Sequence, residues 1–387
     1  MTRYDLTGRT VVLTGSTGGL GAALAQALRA RGANLALLDL NLEASAAQAQ
    51  ALGGATAARG WHADVRDLAS LQTAMAQAAA HFGRIDVVIA NAGIDTMAPM
   101  ATLDPAAFER VIDVNLTGVW RTFRAALPYA EQQQGYLLAV SSMAAFVHSP
   151  LQASYTASKA GVWALCDSIR LELRHLGVGV GSAHPTFFKT PLMDDVVADP
   201  AGQMLWAGND KGLWKMVPLS TVVTGIVTGI ERRAELIVVP KTLTLTAKAP
   251  GLFRPIIERL GFRGSTIARA IELASSSGWH DSQALHRHDS GSATTAPRLT
   301  QQRKTGSPTT GRPAHSKRNS GSHPAQYAVE RRVVAVLPVS MSEVVCADVR
   351  SSLHPGGTGC LGLCPVGLLS TRRGAGRAGF SLVRVRE

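Results

Sequence analysis

Residues 10–21, TVVLTGSTGGLG, decide the fold of this chain. The first five are β-branched or aliphatic and predict a buried strand, whereas the Ala and Leu residues that follow Gly21 predict a helix. A strand, a glycine-rich turn and a helix in this order leave unpaired N–H groups at the helix N-terminus, which bind the pyrophosphate of a dinucleotide. The stretch therefore predicts a dinucleotide-binding βα unit.

The glycines of this turn have different physical roles. Gly15 permits the tight turn, Gly19 lets the backbone approach a pyrophosphate, and Gly21 permits close packing of the helix on the strand. A glycine cluster alone is weak evidence, since ordinary turns also need glycine, but its place between a strand and a helix adds weight. The residues predicted to contact the cofactor here are Gly15, Ser16, Thr17, Gly19, Leu20 and Gly21.

The alternation of strand and helix continues to about residue 240. Short β-branched or aliphatic runs alternate with longer Ala- and Leu-rich stretches of helical periodicity, which is typical of a parallel sheet with crossover helices. We predict strands at residues 10–14, 34–39, 55–61, 86–90, 135–141, 178–183 and 236–239. We predict helices at residues 20–31, 42–52, 68–82, 105–132, 155–176 and 221–232. The fold class is α/β, a single domain on a doubly wound, parallel, seven-stranded sheet, the Rossmann fold.

The chain changes character after residue 245. Residues 1–245 form the predicted nucleotide-binding catalytic domain, and residues 246–280 a C-terminal helical extension that covers the substrate cleft or rests against a partner. Residues 281–387 are rich in Ser, Thr, Gly, Pro, His and Arg, and we expect a basic, largely disordered tail in which only residues 333–339 could pair as a strand.

The net charge of +12 belongs mainly to this tail. Residues 281–387 hold 15 Lys and Arg against six Asp and Glu, which leaves 24 against 21 in the preceding 280 residues. The predicted domain is nearly balanced, so we expect no specific nucleic-acid partner. Two interpretations of the tail stay open: a weak, salt-sensitive arm for nucleic acid or a membrane surface, or the product of a shifted or extended reading frame.

Cysteine usage and hydropathy favour a cytoplasmic protein. Cys166 lies in an apolar helical stretch, and the three tail cysteines lack zinc-site spacing, so we expect neither a disulfide framework nor a metal. The first strand begins within ten residues of the N-terminus without a basic-then-apolar leader, and no run reaches about 18 apolar residues. We therefore expect a cytoplasmic location and no membrane span.

Two acidic positions extend the predicted cofactor site. Asp39 ends the second strand 18 residues after Gly21, where a carboxylate accepts hydrogen bonds from the adenosine ribose hydroxyls, although it could also be a turn or cap residue. No cation for a 2′-phosphate lies in the loop or directly after Asp39, so NAD is favoured over NADP. Asp64 and Val65 follow the third strand at the adenine position, although Asp64 could simply cap the next helix.

Tyr155 and Lys159 are the candidate reactive pair. Residues four apart lie on one face of a helix, so the lysine is expected beside the tyrosine. A phenol with a pKa near ~10 is a poor base at neutral pH, and an adjacent ammonium lowers that pKa. The same spacing arises by chance in many helices, so the pair needs support from the rest of the sequence.

In these features the chain resembles the classical short-chain dehydrogenase/reductase family over roughly residues 5–240. Residues 14–21 match the family's TGxxxGxG pattern, residues 91–93 its NAG motif, and residues 155–159 its YxxxK motif. Each motif is modest in specificity, but all occur in order and at compatible spacing. The cofactor residues that the resemblance adds are Asn91, Ala92, Gly93, Tyr155, Lys159, Pro185 and Thr190.

The resemblance also implies catalytic roles. Ser142 lies 13 residues before Tyr155, as the family's catalytic serine does, which selects it over Ser141. It would hold the substrate oxygen near the phenol, and Tyr155 would exchange the proton as NAD accepts or gives a hydride. Lys159 would lower the tyrosine pKa and bind the nicotinamide ribose, while Asn115 would hold a water that links the lysine to solvent.

One departure from the family pattern lies after the sixth predicted strand. The family usually has PG followed by a Thr, and here Thr186 replaces the glycine between Pro185 and Thr190. Thr190 could still hold the nicotinamide carboxamide. The bulky Phe187 and Phe188 are expected to narrow the site.

The loops that set substrate choice are apolar in this sequence. We expect a secondary alcohol or ketone on an apolar or cyclic skeleton as substrate. The alternative is an NAD-binding regulatory or scaffold protein with little turnover. The resemblance implies a homodimer or homotetramer. The residues predicted to contact the substrate are Ser142, Met143, Phe146, Phe187 and Phe188.

Overall fold

The computed structural model describes residues 3–206, 209, 212, 215–276, 334–335 and 347–348. The chain divides into two compact units, Met1–Arg298 and Leu299–Glu387. The predicted tail, residues 281–387, lies outside the described residues except for the short strands Val334–Ala335 and Ala347–Asp348, which pair antiparallel. Within the described part of the chain, no helix is both long and apolar enough to cross a membrane.

Seven parallel strands form the sheet of the first unit, as predicted. The spatial order β3-β2-β1-β4-β5-β6-β7 reverses its direction of growth between β1 and β4, which marks the switch point of a doubly wound sheet. The strands are β1 Thr10–Thr14, β2 Asn34–Asp39, β3 Ala58–His62, β4 Val87–Ala90, β5 Tyr136–Val140, β6 Gly179–Pro185 and β7 Leu236–Val239.

Helices cover both faces of this sheet because successive strand residues point to opposite sides. The helices are α1 Gly19–Arg29, α2 Leu42–Ala51, α3 Leu68–Phe82, α4 Pro105–Ile112, α5 Gly118–Gln133, α6 Ala153–Leu173, α7 Pro191–Ala198, α8 Pro200–Trp206, α9 Leu219–Ile230, α10 Thr244–Lys248, α11 Pro250–Gly261 and α12 Thr266–Ser276. On β1, Val11 and Leu13 join the core beneath α1 and α9, whereas Val12 joins the core beneath α3, α5 and α6. All three side chains are fully buried.

The third strand begins at Ala58, later than the predicted residue 55. Gly53 and Gly54 have φ values of +115° and +70°, and the N–H groups of Ala57 and Ala58 both donate to the Gly54 carbonyl. These contacts form a turn, so residues 55–57 are not in strand conformation, and Ala57 contributes only its carbonyl, which accepts the Leu35 N–H of β2 at 2.9 Å.

The predicted helix 105–132 is interrupted by one π-helical turn, Asp113–Thr117, between α4 and α5. Such turns are rare and concentrate at functional sites, because the inserted residue re-aims a side chain. The turn contains Asn115, which is fully buried.

A buried carboxylate joins the amino ends of β1 and β4. Asp86 is 1% exposed and accepts hydrogen bonds from the Arg9 and Arg84 guanidinium groups at 2.7 and 2.6 Å and from the Thr10 N–H at 3.0 Å. This cluster lies at the sheet edge opposite to the carboxyl ends of the strands.

Helices α10 to α12 follow β7. On α12, Ala270 and Ala274 are buried against Leu205 and Trp206 of α8. Helix α11 instead leaves Leu252 and other apolar residues largely exposed.

Candidate active site

The predicted site residues meet at the carboxyl ends of β1, β4, β5 and β6. This edge includes the switch point between β1 and β4, where doubly wound sheets bind their ligands. The following contacts establish which side chains come together there.

The glycine loop after β1 has no room for a side chain at Gly15 or at Gly21. Gly15 has φ +61°, and a Cβ there would lie 2.8 Å from the Ala92 Cα; a Cβ on Gly21 would lie 2.2 Å from the Gly15 carbonyl oxygen. Helix α1 begins at Gly19 after the N-cap residue Gly18, which has no side-chain cap. Its first N–H groups are therefore available to an anion.

Two further observations fit a dinucleotide at this loop. The Ser16 hydroxyl is fully buried and has no hydrogen-bond partner among the described residues. Asp39 at the end of β2 accepts hydrogen bonds from the Thr17 N–H at 3.0 Å and from its hydroxyl at 2.8 Å, and the carboxylate stays partly exposed. Leu20 packs into the core, so only its backbone is available to a ligand.

The adenine position is less open than the sequence predicts. Asp64 forms an ion pair with Arg66, with a shortest distance of 2.7 Å between Oδ2 and Nη2, and this pairing lowers the carboxyl pKa against the opposing effect of burial. Val65 is 9% exposed and packs near Gly118. An adenine ring would have to share Asp64 with the arginine.

The NAG segment after β4 is tied to the glycine loop. The Asn91 side-chain amide donates to the carbonyls of Thr14 at 3.0 Å and Gly15 at 2.9 Å. Ala92 donates its N–H to the Thr14 hydroxyl at 3.2 Å. Gly93 is exposed, so the chain leaves open space next to the switch point.

Asn115 joins this segment to the helix that carries the reactive pair. Its Oδ1 accepts the Ile94 N–H at 2.8 Å, and its Nδ2 donates to the Ile94 carbonyl at 2.8 Å and to the Ser158 hydroxyl at 3.2 Å. A Cβ on Gly93 would lie 3.3 Å from the Asn115 Oδ1 and 3.5 Å from the Lys159 Nζ. Both amide protons are used by protein partners, so a water held by this side chain would have to be the donor.

Tyr155 lies beside Ser142, whose hydroxyl is near enough to the phenol to affect its pKa. Burial, with a smaller contribution from the charge of Asp95, raises the pKa of the phenol above its ordinary value near ~10, although the Ser142 hydroxyl opposes this shift. The shift is opposite in direction to the lowered pKa that the sequence predicted, because burial and the charge of Asp95 both favour the neutral phenol.

Lys159 is buried one helical turn beyond Tyr155. Its Nζ lies 5.5 Å from the centre of the tyrosine ring and donates to the Val140 carbonyl at 3.0 Å. Burial lowers the pKa of this ammonium to about 8, and the charge of Asp95 opposes that shift. The lysine is therefore held between the tyrosine and the end of β5.

The two adjacent serines have different partners. Ser141 donates its hydroxyl to the Lys159 carbonyl at 2.8 Å, whereas the Ser142 carbonyl accepts a hydrogen bond from His184 Nδ1 at 3.1 Å. Burial lowers the pKa of His184 to about 4, so the ring is neutral and its Nε2 accepts the Ser182 hydroxyl at 2.8 Å. His184 therefore holds the backbone of Ser142 in place.

The site also contains a carboxylate that the sequence analysis did not single out. Asp95 follows the NAG segment and accepts hydrogen bonds from the Thr96 N–H and the Gln152 side-chain amide. Burial raises the pKa of this carboxyl group to about 7. Its position two residues after the NAG motif was the only signal in the sequence, because Gln152 lies 57 residues away.

The aromatic residues expected to contact substrate lie in three different places. Phe187 packs against Trp206, with ring centres 5.7 Å apart, in the apolar cluster beneath α8 and α12. Met143 and Phe146 belong to a separate core cluster, where Phe146 is fully buried against His184. Phe188 packs on the core beneath α1 and α9. Only Phe187 shares the cluster that borders the site.

The last predicted cofactor residues follow β6. Pro185 is the final residue of that strand. Thr190 is the N-cap of α7 and accepts the Met193 N–H at 3.2 Å, while its hydroxyl proton stays available to a ligand.

Comparisons with known proteins agree with this arrangement. Residues 9–201 match the family model for short chain dehydrogenases. D-threitol dehydrogenase of Mycolicibacterium smegmatis is 35% identical over 204 residues, which cover 52% of this chain and 78% of that protein. The cis-4-hydroxycyclohexanecarboxylate dehydrogenase of Sinomonas cyclohexanicum is 38% identical over 199 residues, or 51% of this chain and 80% of that protein.

Solved structures of similar fold agree as well. The crystal structure of levodione reductase matches with a TM-score of 0.55 at 25% identity, over 60% of this chain and 96% of the other. The motifs, the sheet order and these matches lead to one conclusion: the chain belongs to the short-chain dehydrogenase/reductase family of oxidoreductases.

Proposed function

We propose that this protein is an NAD-dependent oxidoreductase that interconverts a secondary alcohol and a ketone, with Tyr155 as the acid and base. The observation that carries the proposal is the meeting of three side chains at the carboxyl end of β5: Ser142 lies beside Tyr155, and the buried Lys159 ammonium lies 5.5 Å from the tyrosine ring centre and donates to the Val140 carbonyl. Membership of an oxidoreductase family supports the same class of reaction.

The protonation of Tyr155 suits ketone reduction. Because its pKa is raised, the phenol is neutral at pH 7 and donates its proton to the substrate oxygen as negative charge develops there. The Ser142 hydroxyl donates a second hydrogen bond to that oxygen and keeps it in place. When bound, the nicotinamide supplies or accepts the hydride, and its oxidised ring adds a positive charge that favours the phenolate needed for alcohol oxidation.

The remaining family residues would bind and orient. The Lys159 ammonium faces the space left by Gly93, where it would donate to the nicotinamide ribose hydroxyls. Asn115 is hydrogen-bonded to the Ile94 backbone and to the Ser158 hydroxyl. It would therefore fix the position of Lys159 relative to the NAG segment. The Thr190 hydroxyl would donate to the carboxamide.

Asp39 is the basis for proposing NAD as the cofactor. Its carboxylate would accept hydrogen bonds from the ribose hydroxyls and repel a 2′-phosphate. Asp39→Asn retains an oxygen that can accept from Thr17 but removes the charge. We predict that the ratio of kcat/KM for NAD to that for NADP falls at least tenfold in this variant, measured by the absorbance of the reduced cofactor. An unchanged ratio would show that other residues set cofactor choice.

The proposed substrate has an apolar skeleton that is cyclic or of similar size. Phe187, Met97 and Trp206 belong to the apolar cluster that borders the site, and Phe187 is only partly buried. Two proteins similar to this chain are named for cyclic substrates, a hydroxycyclohexanecarboxylate and levodione, whereas a third is named for the polyol D-threitol. Their names support a secondary alcohol or ketone and leave its polar substituents open.

Tyr155→Phe tests the proposal directly. The wild type is assayed with NAD and NADP against a panel of cyclic and acyclic secondary alcohols and, in reverse, ketones. We predict that the variant loses a factor of about 10²–10⁴ in kcat, the usual contribution of a general acid, while its affinity for NADH, measured by fluorescence, stays within threefold. Cofactor binding without turnover of any panel member in the wild type would favour the regulatory or scaffold alternative.

We also propose a cytoplasmic homodimer or homotetramer without a specific nucleic-acid partner. The free, buried thiol of Cys166 suits a reducing compartment. Trp120 on α5 and Leu171 on α6 are 45% and 64% exposed, which suits burial against a second copy of these helices. Residues 1–245 would be the catalytic domain, residues 246–280 the helical extension, and residues 281–387 a dispensable tail.

A further inference from the structure

Asn115, which lies near the reactive Lys159, also fixes the position of Asp95. Asn115 holds both the N–H and the carbonyl of Ile94 at 2.8 Å, so the backbone of the next residue has little freedom. Asp95 therefore stands at a defined position beside the site.

The carboxylate of Asp95 is only half satisfied by the protein. One oxygen accepts the Thr96 N–H at 2.7 Å, and the other accepts the Gln152 side-chain amide. Thr96 and Gln152 are 4% and 5% exposed, whereas Asp95 stays partly exposed. Because a carboxylate offers about four acceptor positions, about two remain for a group that arrives from the open side.

This carboxylate lies near the reactive pair, because its partner Gln152 is the N-cap of α6 and precedes Tyr155 by only three residues. Its charge favours a higher pKa for both Tyr155 and Lys159, although burial lowers the lysine pKa overall. Among the described residues, no cation lies within 4.0 Å of it to form an ion pair. A semi-buried carboxylate without an ion pair disfavours folding, so its presence in a cleft points to a ligand.

Apolar residues lie near Asp95 and Gln152 in both of the loops that carry them. Thr96 is followed by Met97, and the Ala98 N–H donates to the Leu151 carbonyl at 2.8 Å, which joins this loop to the segment that carries Gln152. Met97 and Leu151 belong to the apolar cluster of Phe187 and Trp206. The polar pair thus lies between Tyr155 and the proposed apolar lining.

We propose that Asp95 and Gln152 form a subsite for a hydroxyl group on the carbon next to the reacting one, so that the preferred substrates are vicinal diols and the matching α-hydroxyketones. The inference rests on the proposed function. The second hydroxyl donates to the free acceptor positions of Asp95 and is unchanged in the reaction. The reacting carbinol loses its hydroxyl proton to Tyr155 and its hydride to NAD, as in any alcohol of this class.

The experiment compares two substrates of one skeleton, 1,2-cyclohexanediol and cyclohexanol, with NAD. Asp95→Asn keeps the shape of the side chain but removes its charge, and Asp167→Asn on α6, whose carboxylate is 46% exposed, is the matched control. We expect wild type and control to prefer the diol. We expect the ratio of kcat/KM for the diol to that for cyclohexanol to fall roughly tenfold or more in Asp95→Asn, as for a lost hydrogen bond to a charged group. Any effect of the Asp95 charge on Tyr155 is common to both substrates and cancels in this ratio.

A second measurement reports binding without turnover. With NADH present, the diol should raise the Tm of the wild type and the control but not that of Asp95→Asn, whose Tm without ligand also shows whether it folds. Equal losses for both substrates, or a wild type indifferent to the second hydroxyl, would overturn the subsite while leaving the proposed function intact. Failure of the wild type to turn over either alcohol or any other alcohol or ketone would overturn both.

Discussion

Lys159 combines a charge with a buried position, and this has a measurable effect on stability. The pKa of its ammonium is about 8 in the folded protein, below the value near ~10.4 of an unfolded chain. The folded state therefore releases this proton first, and stability rises as the pH increases from about 8 towards about 10. We predict that the difference in Tm between wild type and Lys159→Met shifts in favour of the wild type over this range, as measured by thermal unfolding.

Lys248 provides the control for this prediction, because it is an exposed lysine at the end of α10. The Tm difference between wild type and Lys248→Met should not vary with pH. A Lys159→Met difference that is equally flat would mean that the buried ammonium keeps its ordinary pKa.

The chemistry of the site was predictable from the sequence only where spacing along the chain determines it. The 13-residue separation selected Ser142 over Ser141, and the two serines do have different partners. The direction of the Tyr155 pKa shift was predicted wrongly, because burial depends on elements that are distant in sequence. Asp95 was missed for the same reason, since its partner Gln152 comes from another loop.

At the scale of elements, the Asp86 cluster joins the starts of β1 and β4. Removing a buried carboxylate from two guanidinium groups leaves both charges without their acceptor. We predict that Asp86→Ala lowers the free energy of unfolding by roughly 2–4 kcal/mol, measured by urea denaturation, because the arginines are partly exposed and regain some hydration.

The same experiment separates stability from catalysis. The folded fraction of Asp86→Ala should keep the wild-type KM for cofactor and substrate, since the cluster lies at the opposite edge of the sheet. Asp167→Ala, which removes an exposed helical ion pair with Arg170, should cost less than about 0.5 kcal/mol. Similar losses in both variants would refute the role assigned to Asp86.

The identity and order of the strands and of the crossover helices were predictable because hydrophobic periodicity determines them, whereas helices α7 and α8 after β6 were not predicted. The other errors concern backbone details that periodicity does not encode. Two glycines of positive φ delay the start of β3. The π-helical turn Asp113–Thr117 inserts one residue into an otherwise helical segment, and the apolar periodicity of residues 105–132 did not distinguish this from a continuous helix.

At the scale of the whole molecule, we predict that deletion of residues 281–387 leaves Tm and kcat/KM unchanged. The deletion removes 15 Lys and Arg against six Asp and Glu, so the shorter protein should also elute from a heparin column at lower salt. An insoluble or unfolded product would show that this segment contributes to the fold.

The Asp86 cluster and the proposed Asp95–Gln152 subsite lie at opposite ends of the strands, and this separation suggests how substrate specificity can change without loss of the fold. Asp86 and its arginines hold the amino ends of the strands, whereas the proposed subsite and the reactive residues follow the carboxyl ends. A library that randomises the loops around Asp95 and Gln152 would therefore sample new specificities at little risk to expression, and natural divergence would follow the same route. The protein is, in this respect, a ready starting point for directed evolution.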